Sequence, residues 1–273
     1  MILLTNRECP WKCVMCDLWK STTVERVPAG AIPAQIQSAL RKLPGPFPRQ
    51  LKLYNSGSFF DAAAIPPEDY AAIAELAAPA ENVVVESHPL LVGERTWRLR
   101  DLLRGSLEVA LGLETVHPGV LRKLNKGFEP DDFARAAEQL KREGVALRVF
   151  LLVHPPFMDR AAAADWCQQS VAFAFDCGAS VTALIPTREG NGAMEALRES
   201  GEFMPPSLCD LEEAQSRALA QPRGRVLADT WEMASDDPSA CEHCRPERIA
   251  RLQRINVSQC DEPRLACPQC GAR

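Results

Sequence analysis

Three cysteines stand close together near the start of the chain, at Cys9, Cys13 and Cys16. They follow a short apolar run that predicts a strand, so we expect them to lie in the loop after it. Three thiolates in one tight loop can bind three irons of a 4Fe-4S cluster. The fourth iron then has no protein ligand, and an open iron can bind and reduce a small molecule.

The same three cysteines could instead form a structural zinc site, or they could be unconnected core residues. Structural zinc usually has four ligands and typically uses paired cysteines, which three cysteines alone do not supply. The sequence therefore favours the iron-sulfur cluster.

A second group of cysteines lies near the other end of the chain. Cys241 pairs in sequence with Cys244, and Cys267 with Cys270, at a spacing typical of a tetrahedral thiolate site. Zinc is the predicted ion, because a short polar tail buries too little surface to fold alone and metal binding supplies that free energy. An auxiliary iron-sulfur cluster is the alternative, in which Cys260 could replace one of the four thiols.

Four arginines recur every three residues between the two cysteine pairs, at Arg245, Arg248, Arg251 and Arg254. A helix there would carry a basic face able to contact phosphates. A solvated helix face with no ligand is the alternative.

Polar residues also follow two predicted strands in the first third of the chain. The turn Asn55-Ser56-Gly57-Ser58 follows the second strand, and Gly57 lets the backbone approach a ligand closely. Glu86 and His88 end the third strand, where a carboxylate and an imidazole can transfer protons or orient a substrate. A solvated strand end is the alternative for both.

Strand-like and helix-like segments alternate along the chain, which predicts an α/β fold with parallel strands. The predicted strands are Ile2–Thr5, Leu51–Tyr54, Val83–Glu86, Leu107–Leu113, Leu147–Val153 and Val181–Ile185. The predicted helices are Ile32–Leu43, Tyr70–Leu76, Val120–Lys123, Asp131–Arg142 and Ala161–Phe175. A doubly wound sheet and a barrel both fit, and both place the site at the carboxyl ends of the strands.

Composition narrows the class of protein. The chain has 273 residues, which suits one large domain, predicted as 1–221, and a cysteine-rich appendage at 222–273. No apolar run approaches the roughly 20 residues that span a bilayer, so we expect a cytoplasmic protein with no membrane contact. The net charge of -5 means that nucleic-acid binding would need a local basic patch.

The triad Cys9-x3-Cys13-x2-Cys16 resembles the signature of the radical S-adenosylmethionine superfamily. The resemblance implies a partial (β/α)6 TIM-type barrel and a 4Fe-4S cluster. The cluster would reductively cleave S-adenosylmethionine to methionine and a 5'-deoxyadenosyl radical, with an electron donor such as flavodoxin or ferredoxin. Asn55, Ser56, Gly57 and Ser58 stand where that superfamily binds the methionine part of the cofactor.

The stretch from Gly112 to Gly127 looks like the corresponding part of coproporphyrinogen dehydrogenase, the methylthiotransferases and the elongator catalytic subunit. That resemblance implies that Glu114 binds the ribose hydroxyls and that Lys126, twelve positions later, pairs with the cofactor carboxylate. The fifth strand, which ends at His154, resembles the strands that contact the adenine.

Four segments together resemble the radical subunit of archaeosine synthase: Asn55–Asp61, Val85–Pro89, Leu124–Phe128 and Leu152–Phe157. The resemblance implies action on a modified tRNA nucleoside of the 7-deazaguanine type. Two other hypotheses stay open: a radical enzyme acting on a small metabolite or a peptide, and an inactive zinc-ribbon protein that binds RNA or another protein.

Overall fold

The fold is built on a sheet of seven parallel strands, seen in a computed structural model that describes residues 1–221, 223–231, 233 and 241–270. Within these residues the strands are β1 (Ile2–Leu3), β2 (Gln50–Tyr54), β3 (Asn82–Ser87), β4 (Ser106–Glu114), β5 (Ala146–Val153), β6 (Val181–Pro186) and β7 (Arg225–Ala228). Neighbours in the sheet follow the order of the chain from β1 to β7.

Helices occupy most of the connections between strands. They are α1 (Ala31–Arg41), α2 (Tyr70–Ala77), α3 (Glu94–Leu102), α4 (Pro118–Lys123), α5 (Pro130–Arg142), α6 (Arg160–Asp176), α7 (Ala193–Glu199), α8 (Leu208–Leu219) and α9 (Arg245–Ser258). Across the described ranges, no helix is long and apolar enough to cross a membrane.

The strand succession distinguishes between the two architectures that the sequence allowed. A doubly wound sheet reverses its strand order at a switch point, whereas a TIM-type barrel adds each strand beside the previous one. The observed order is that of the barrel, so the predicted α/β fold with partial-barrel topology is confirmed.

One strand more is present than the six expected. β7 pairs in parallel with β6, from Val181 opposite Arg225 to Leu184 opposite Ala228. β7 is only four residues long and starts directly after Gly224, so its periodicity was too short to detect. It lies beyond residue 222, where the sequence places the start of the appendage, and that domain boundary stays a prediction.

Burial of successive strand residues shows that the sheet is covered on both of its faces. Val83, Val84 and Val85 in β3 are each at most 1% exposed, although consecutive side chains point to opposite faces. Val109, Ala110 and Leu111 in β4 repeat the pattern at 0%. Near-continuous apolar strands are typical of parallel sheets with helices on both sides.

The chain divides into two compact units. The first comprises residues 1–112 and 125–148, and therefore contains β1 to β3, most of β4, and helices α1, α2, α3 and α5. The second comprises residues 113–124 and 149–273, which include α4, α6 to α9, β6 and β7.

Helix α9 corrects the expectation of a basic face. Arg248 and Arg251 are 5% and 2% exposed, because their side chains point into the second unit rather than to solvent. Arg248 Nη2 lies 2.6 Å from Glu212 of α8, and Arg251 Nη2 lies 3.0 Å from Asp261. Arg254 is exposed and pairs with Glu247 and Glu262. The helix therefore has neither the phosphate-contacting basic face nor the merely solvated face that the sequence offered as alternatives.

We predict that the buried ion pair between Arg148 of β5 and Glu108 of β4 is costly to break from one side. The Nε to Oε1 distance is 2.6 Å, and both side chains are less than a tenth exposed. Arg148→Met leaves a buried carboxylate without a partner and should lower the free energy of unfolding by about 3–5 kcal/mol. The double variant Glu108→Leu/Arg148→Met should recover most of it.

The matched control is the exposed pair of Arg49 and Glu81, whose side chains are 85% and 61% exposed. When the variants are unfolded in urea, Arg49→Met should lower the free energy of unfolding far less than Arg148→Met does, because solvent screens the exposed pair. Equal losses from the two single variants would contradict a special role for the buried pair.

Candidate functional site

The cluster loop, residues 7–23, follows β1, and its two ends are hydrogen-bonded to each other. Arg7 forms a parallel bridge with Thr23, and the Glu8 N–H donates to the Thr23 carbonyl at 2.8 Å. The Thr23 N–H donates to the carbonyl of Asn6, also at 2.8 Å. These bonds close the loop at its foot and hold the three cysteines on one excursion of the chain.

All three thiols of the cluster loop are half-buried. The Cys16 N–H donates to the Cys13 carbonyl at 3.0 Å, which makes the turn that carries the second and third cysteines. Burial raises the pKa of the Cys9 and Cys16 thiols, and the nearby Lys126 ammonium lowers the pKa of Cys9. A positive charge beside Cys9 favours the thiolate, which is the form that binds iron.

The turn after β2 approaches the cluster loop closely. A Cβ on Gly57 would lie 3.4 Å from Cβ of Cys9, so a side chain here would press on the first cysteine. Ser56 has φ +56°, a left-handed conformation that non-glycine residues rarely adopt and that clusters at functional sites. Asn55 is 0% exposed, and neither its amide oxygen nor its amide nitrogen has a hydrogen-bond partner among the described residues.

The carboxyl group of Glu86, in β3, holds that turn in place. Its Oε1 accepts from the backbone N–H of Asn55 at 2.6 Å and of Gly57 at 3.4 Å. Burial raises the pKa of Glu86 to about 7, although these backbone donors pull the pKa down. Beside it, the hydroxyls of Ser58 and Ser87 form a buried hydrogen bond at 2.8 Å.

His88 lies just beyond β3 and uses both ring nitrogens within the protein. Its Nδ1 accepts from the Leu90 N–H at 3.3 Å, so Nε2 carries the proton and donates to the Lys126 carbonyl at 2.8 Å. Burial lowers the pKa of His88 to about 4. A neutral imidazole with both nitrogens engaged is suited to fixing neighbours, whereas the sequence suggested proton transfer.

Lys126 is the basic residue that belongs to this same unit. It is 7% exposed, and its ammonium lies 5.7 Å from the ring centroid of Phe128. A mostly buried ammonium close to Cys9 is a suitable partner for an anionic group bound beside the cluster loop.

The second unit holds the remaining two predicted cofactor residues. Glu114 is the last residue of β4 and His154 directly follows β5, and both have left-handed φ values, +65° and +58°. Both are buried, and neither ring nitrogen of His154 finds a hydrogen-bond partner within the described ranges. His154 lines a small cavity with Arg160, Gln168 and Asp210, which come from α6 and α8. Burial lowers the pKa of His154.

Most of the predicted site therefore converges in the first unit. It brings together the cluster loop, the turn after β2, Glu86, His88 and Lys126. The sequence did not single out Trp11 or Asn125, although both contact these residues. The Asn125-Lys126-Gly127 triplet carried a signal for one of them, because asparagine and glycine favour the left-handed backbone that the chain adopts at 125 and 127.

The four tail thiols form a compact metal-binding group. Their Sγ atoms all lie within 4.8 Å of one another, with Cys241 to Cys267 at 4.0 Å and Cys244 to Cys270 at 3.8 Å. Four sulfurs about 2.3 Å from one tetrahedral ion would be about 3.8 Å apart. Cys260 is exposed and lies outside this group. The backbone N–H groups of Cys270 and Gln269 lower the pKa of Cys267 to about 6, which favours its thiolate.

Comparison with known proteins shows what the chain is similar to in sequence and in fold. No protein-family model matches it. Archaeosine synthase subunit beta of Methanosarcina acetivorans is 28% identical over 271 residues, which cover 94% of this chain and 78% of that protein.

Two solved structures share the fold. The archaeal Methanocaldococcus infernus Elp3 with an N-terminal deletion has a TM-score of 0.59 at 16% identity, covering 98% of this chain and 65% of that chain. Coproporphyrinogen III oxidase from Escherichia coli, described as a radical SAM enzyme, has a TM-score of 0.54 at 12% identity, covering 80% and 51%. The chain thus spans less than two thirds of either solved protein. The chain is thus similar in sequence to an archaeosine synthase subunit over most of its length, and it shares its partial-barrel fold with Elp3 and with coproporphyrinogen III oxidase.

Proposed function

We propose that the protein uses S-adenosylmethionine and a 4Fe-4S cluster held by Cys9, Cys13 and Cys16 to modify a tRNA nucleoside of the 7-deazaguanine type. The observation that carries the cofactor part is the turn after β2, which presents an unpartnered, fully buried Asn55 amide next to the first cysteine. The similarity to archaeosine synthase subunit beta over 94% of the chain supports the substrate class.

The residues around the cluster loop fit the amino-acid part of S-adenosylmethionine. A buried amide without a partner costs about 1–3 kcal/mol, and a ligand with donors and acceptors removes that cost. Asn55 can accept from an ammonium group, and Lys126 can pair with a carboxylate. When bound, the cluster and the sulfonium compound together supply a reductive cleavage that generates a radical able to remove a hydrogen atom.

The other residues predicted to bind the cofactor suit the remaining groups of S-adenosylmethionine. Glu114 would accept hydrogen bonds from the ribose hydroxyls, and the end of β5 at His154 would flank the adenine. Ser56 and Ser58 extend the polar lining of the turn beside Asn55. The Glu86 carboxyl shapes this turn by accepting hydrogen bonds from the backbone N–H groups of the turn. The neutral form of the carboxyl, which is present at pH near 7, would also allow it to donate a proton to a bound ligand.

The name of a relative supports a protein partner. The name of the Methanosarcina relative describes a beta subunit, so we propose that this chain also works with a second protein. An electron donor such as flavodoxin or ferredoxin would reduce the cluster.

A zinc ion bound by Cys241, Cys244, Cys267 and Cys270 completes the proposal. The close approach of all four sulfurs suits one tetrahedral ion better than a cluster of several irons. Cys244 immediately precedes α9, so the ion would fasten the start of this helix to the last described turn of the chain.

The function is tested by two linked measurements on anaerobically reconstituted protein. With S-adenosylmethionine and a strong reductant, the native chain should release 5'-deoxyadenosine, and Cys13→Ala should lower the rate at least about a hundredfold. Cys177→Ala is the matched control, because this thiol at the end of α6 is in neither cysteine group. No release by the native chain would overturn the enzyme mechanism.

Mass spectrometry of tRNA nucleosides identifies the substrate. A strain lacking the gene should accumulate a 7-deazaguanine precursor, and the native gene should remove it whereas the Cys13→Ala gene should not. Unchanged tRNA nucleosides in the deletion strain would reject tRNA and leave a small metabolite or peptide as the substrate.

We predict a pH-dependent effect of Glu86→Gln on stability. A folded pKa of about 7 lies above the ordinary value of 4.5, so the native carboxyl stabilises the fold below pH 4.5 and loses that advantage as pH rises through 7. Gln keeps the acceptor oxygen and does not ionise. Its gain in unfolding free energy over native protein should grow by about 2–3 kcal/mol between pH 5 and pH 8.

This measurement uses urea unfolding without S-adenosylmethionine. Glu75→Gln, which makes the same chemical change at an exposed carboxyl on α2, is the matched control. A flat difference between native protein and Glu86→Gln across this range would show that the Glu86 carboxyl is not held neutral.

The metal proposal is tested in a background that lacks the first three cysteines, so that any bound metal belongs to the tail. We expect about one zinc per chain and no inorganic sulfide. Cys267→Ser should weaken zinc binding at least about tenfold, and Cys260→Ser should leave it unchanged. Iron with sulfide, or a loss of metal in Cys260→Ser, would instead support the auxiliary cluster.

A further inference from the structure

Trp11 lies in the middle of the cluster loop, between the first and second cysteines. Its indole stacks on the imidazole of His88 with 3.6 Å between ring centroids and 10° between ring planes. His88 is 7% exposed and lies directly after β3, so the indole rests on a fixed part of the first unit. A stacked pair of this kind stabilises the contact beyond the burial of its surface.

The segment after α4 contacts both the backbone and the indole ring of Trp11. Asn125 Nδ2 donates to the Trp11 carbonyl at 2.6 Å and to the Lys12 carbonyl at 3.3 Å. A Cβ on Gly127 would lie 2.8 Å from Trp11 Cδ1, so only glycine fits against the ring. The Sγ of Cys13 lies 3.8 Å from the Asn125 carbonyl oxygen.

His88 joins these two sets of contacts. Its Nε2 donates to the carbonyl of Lys126, the residue between Asn125 and Gly127, and its ring meets Phe128 edge-on at 5.3 Å. The imidazole therefore holds the indole on one face and the Lys126 backbone at its edge. The position of the cluster loop and the position of Lys126 depend on one shared set of contacts.

We propose that Trp11, His88 and Asn125 form a positioning unit that fixes the cluster loop relative to Lys126. The proposal rests on the proposed function, since it concerns the cluster and the carboxylate of S-adenosylmethionine. In this unit His88 is a positioning residue: it touches neither substrate nor cofactor and acts through Trp11 and Lys126. The role replaces the proton transfer that the sequence suggested for it.

The unit explains two sequence choices that cofactor binding does not require. An aromatic residue at position 11 makes no bond to iron, yet it supplies the flat surface that His88 packs against. Asn125 has φ +58° and is exposed, but its side chain makes two hydrogen bonds to the cluster loop. Both residues are useful because they bring distant parts of the chain against the three cysteines.

The test compares Trp11→Ala, His88→Ala and the conservative variant His88→Phe in the full-length, reconstituted protein. Iron release to a chelator should be about fivefold faster in each alanine variant, as expected from losing about one aromatic contact. His88→Phe keeps the stack but loses the hydrogen bond to the Lys126 carbonyl, and its rate of iron release should stay within about twofold of native protein. The double variant Trp11→Ala/His88→Ala should lose iron no faster than either single variant, because both remove one shared contact.

A second readout separates positioning from general stability. Adding S-adenosylmethionine should change the electron paramagnetic resonance spectrum of the reduced native cluster, and should change the spectra of His88→Ala and His88→Phe much less, because both variants lose the hydrogen bond to the Lys126 carbonyl. His117→Ala is the matched control: His117 makes the other histidine–tryptophan contact that the described residues show, with Trp166 at 4.6 Å, outside the cluster loop.

The outcomes are decisive in each direction. Native iron release and a native spectrum in His88→Ala would overturn the positioning unit while leaving the proposed function intact. Equal iron loss in His117→Ala, or iron release from His88→Phe that is as fast as from His88→Ala, would also overturn it. A native protein that binds no iron and sulfide would overturn the proposed function itself.

Discussion

The hydrogen bonds that one carboxyl group accepts organise the site. Glu86 sits at the end of a buried strand and accepts the backbone N–H groups of the neighbouring turn. Because those groups are committed to Glu86, the turn keeps a left-handed Ser56 and leaves the Asn55 amide free to meet a ligand. It also places Gly57 so close to the cluster loop that an added Cβ would lie 3.4 Å from Cβ of the first cysteine. The arrangement depends on parallel pairing of β2 and β3, which places the two strand ends side by side.

The elements that the sequence predicted well are those with long periodic patterns. The six strands were placed to within two residues at each end, because each coincides with a mostly apolar run in a sheet covered on both faces. β7 was missed because four residues are too few to show a period. Helices α3, α7 and α8 were also missed, and α3 has a weak apolar pattern because charged residues occupy most of its length.

The metal-binding cysteines could be predicted because spacing alone restricts what thiolates can bind. The contacts around Trp11 could not, since they join residues that are more than seventy positions apart along the chain. A stack between an indole and an imidazole leaves no periodic trace in either segment. Neutral His88 is likewise a product of burial, and burial at a strand end depends on what packs over it.

The ion pairs of the α9 arginines weaken the positive potential of the tail. Arg248 is neutralised by Glu212, Arg251 by Asp261, and Arg254 by Glu247 and Glu262, so these three charges add little to the surface potential. A polyanion approaching the C-terminal segment would therefore experience a weaker field than its arginine content suggests. If the protein acts on tRNA as proposed, the attraction has to rely on cations other than these three arginines, and it should diminish steeply as added salt screens them.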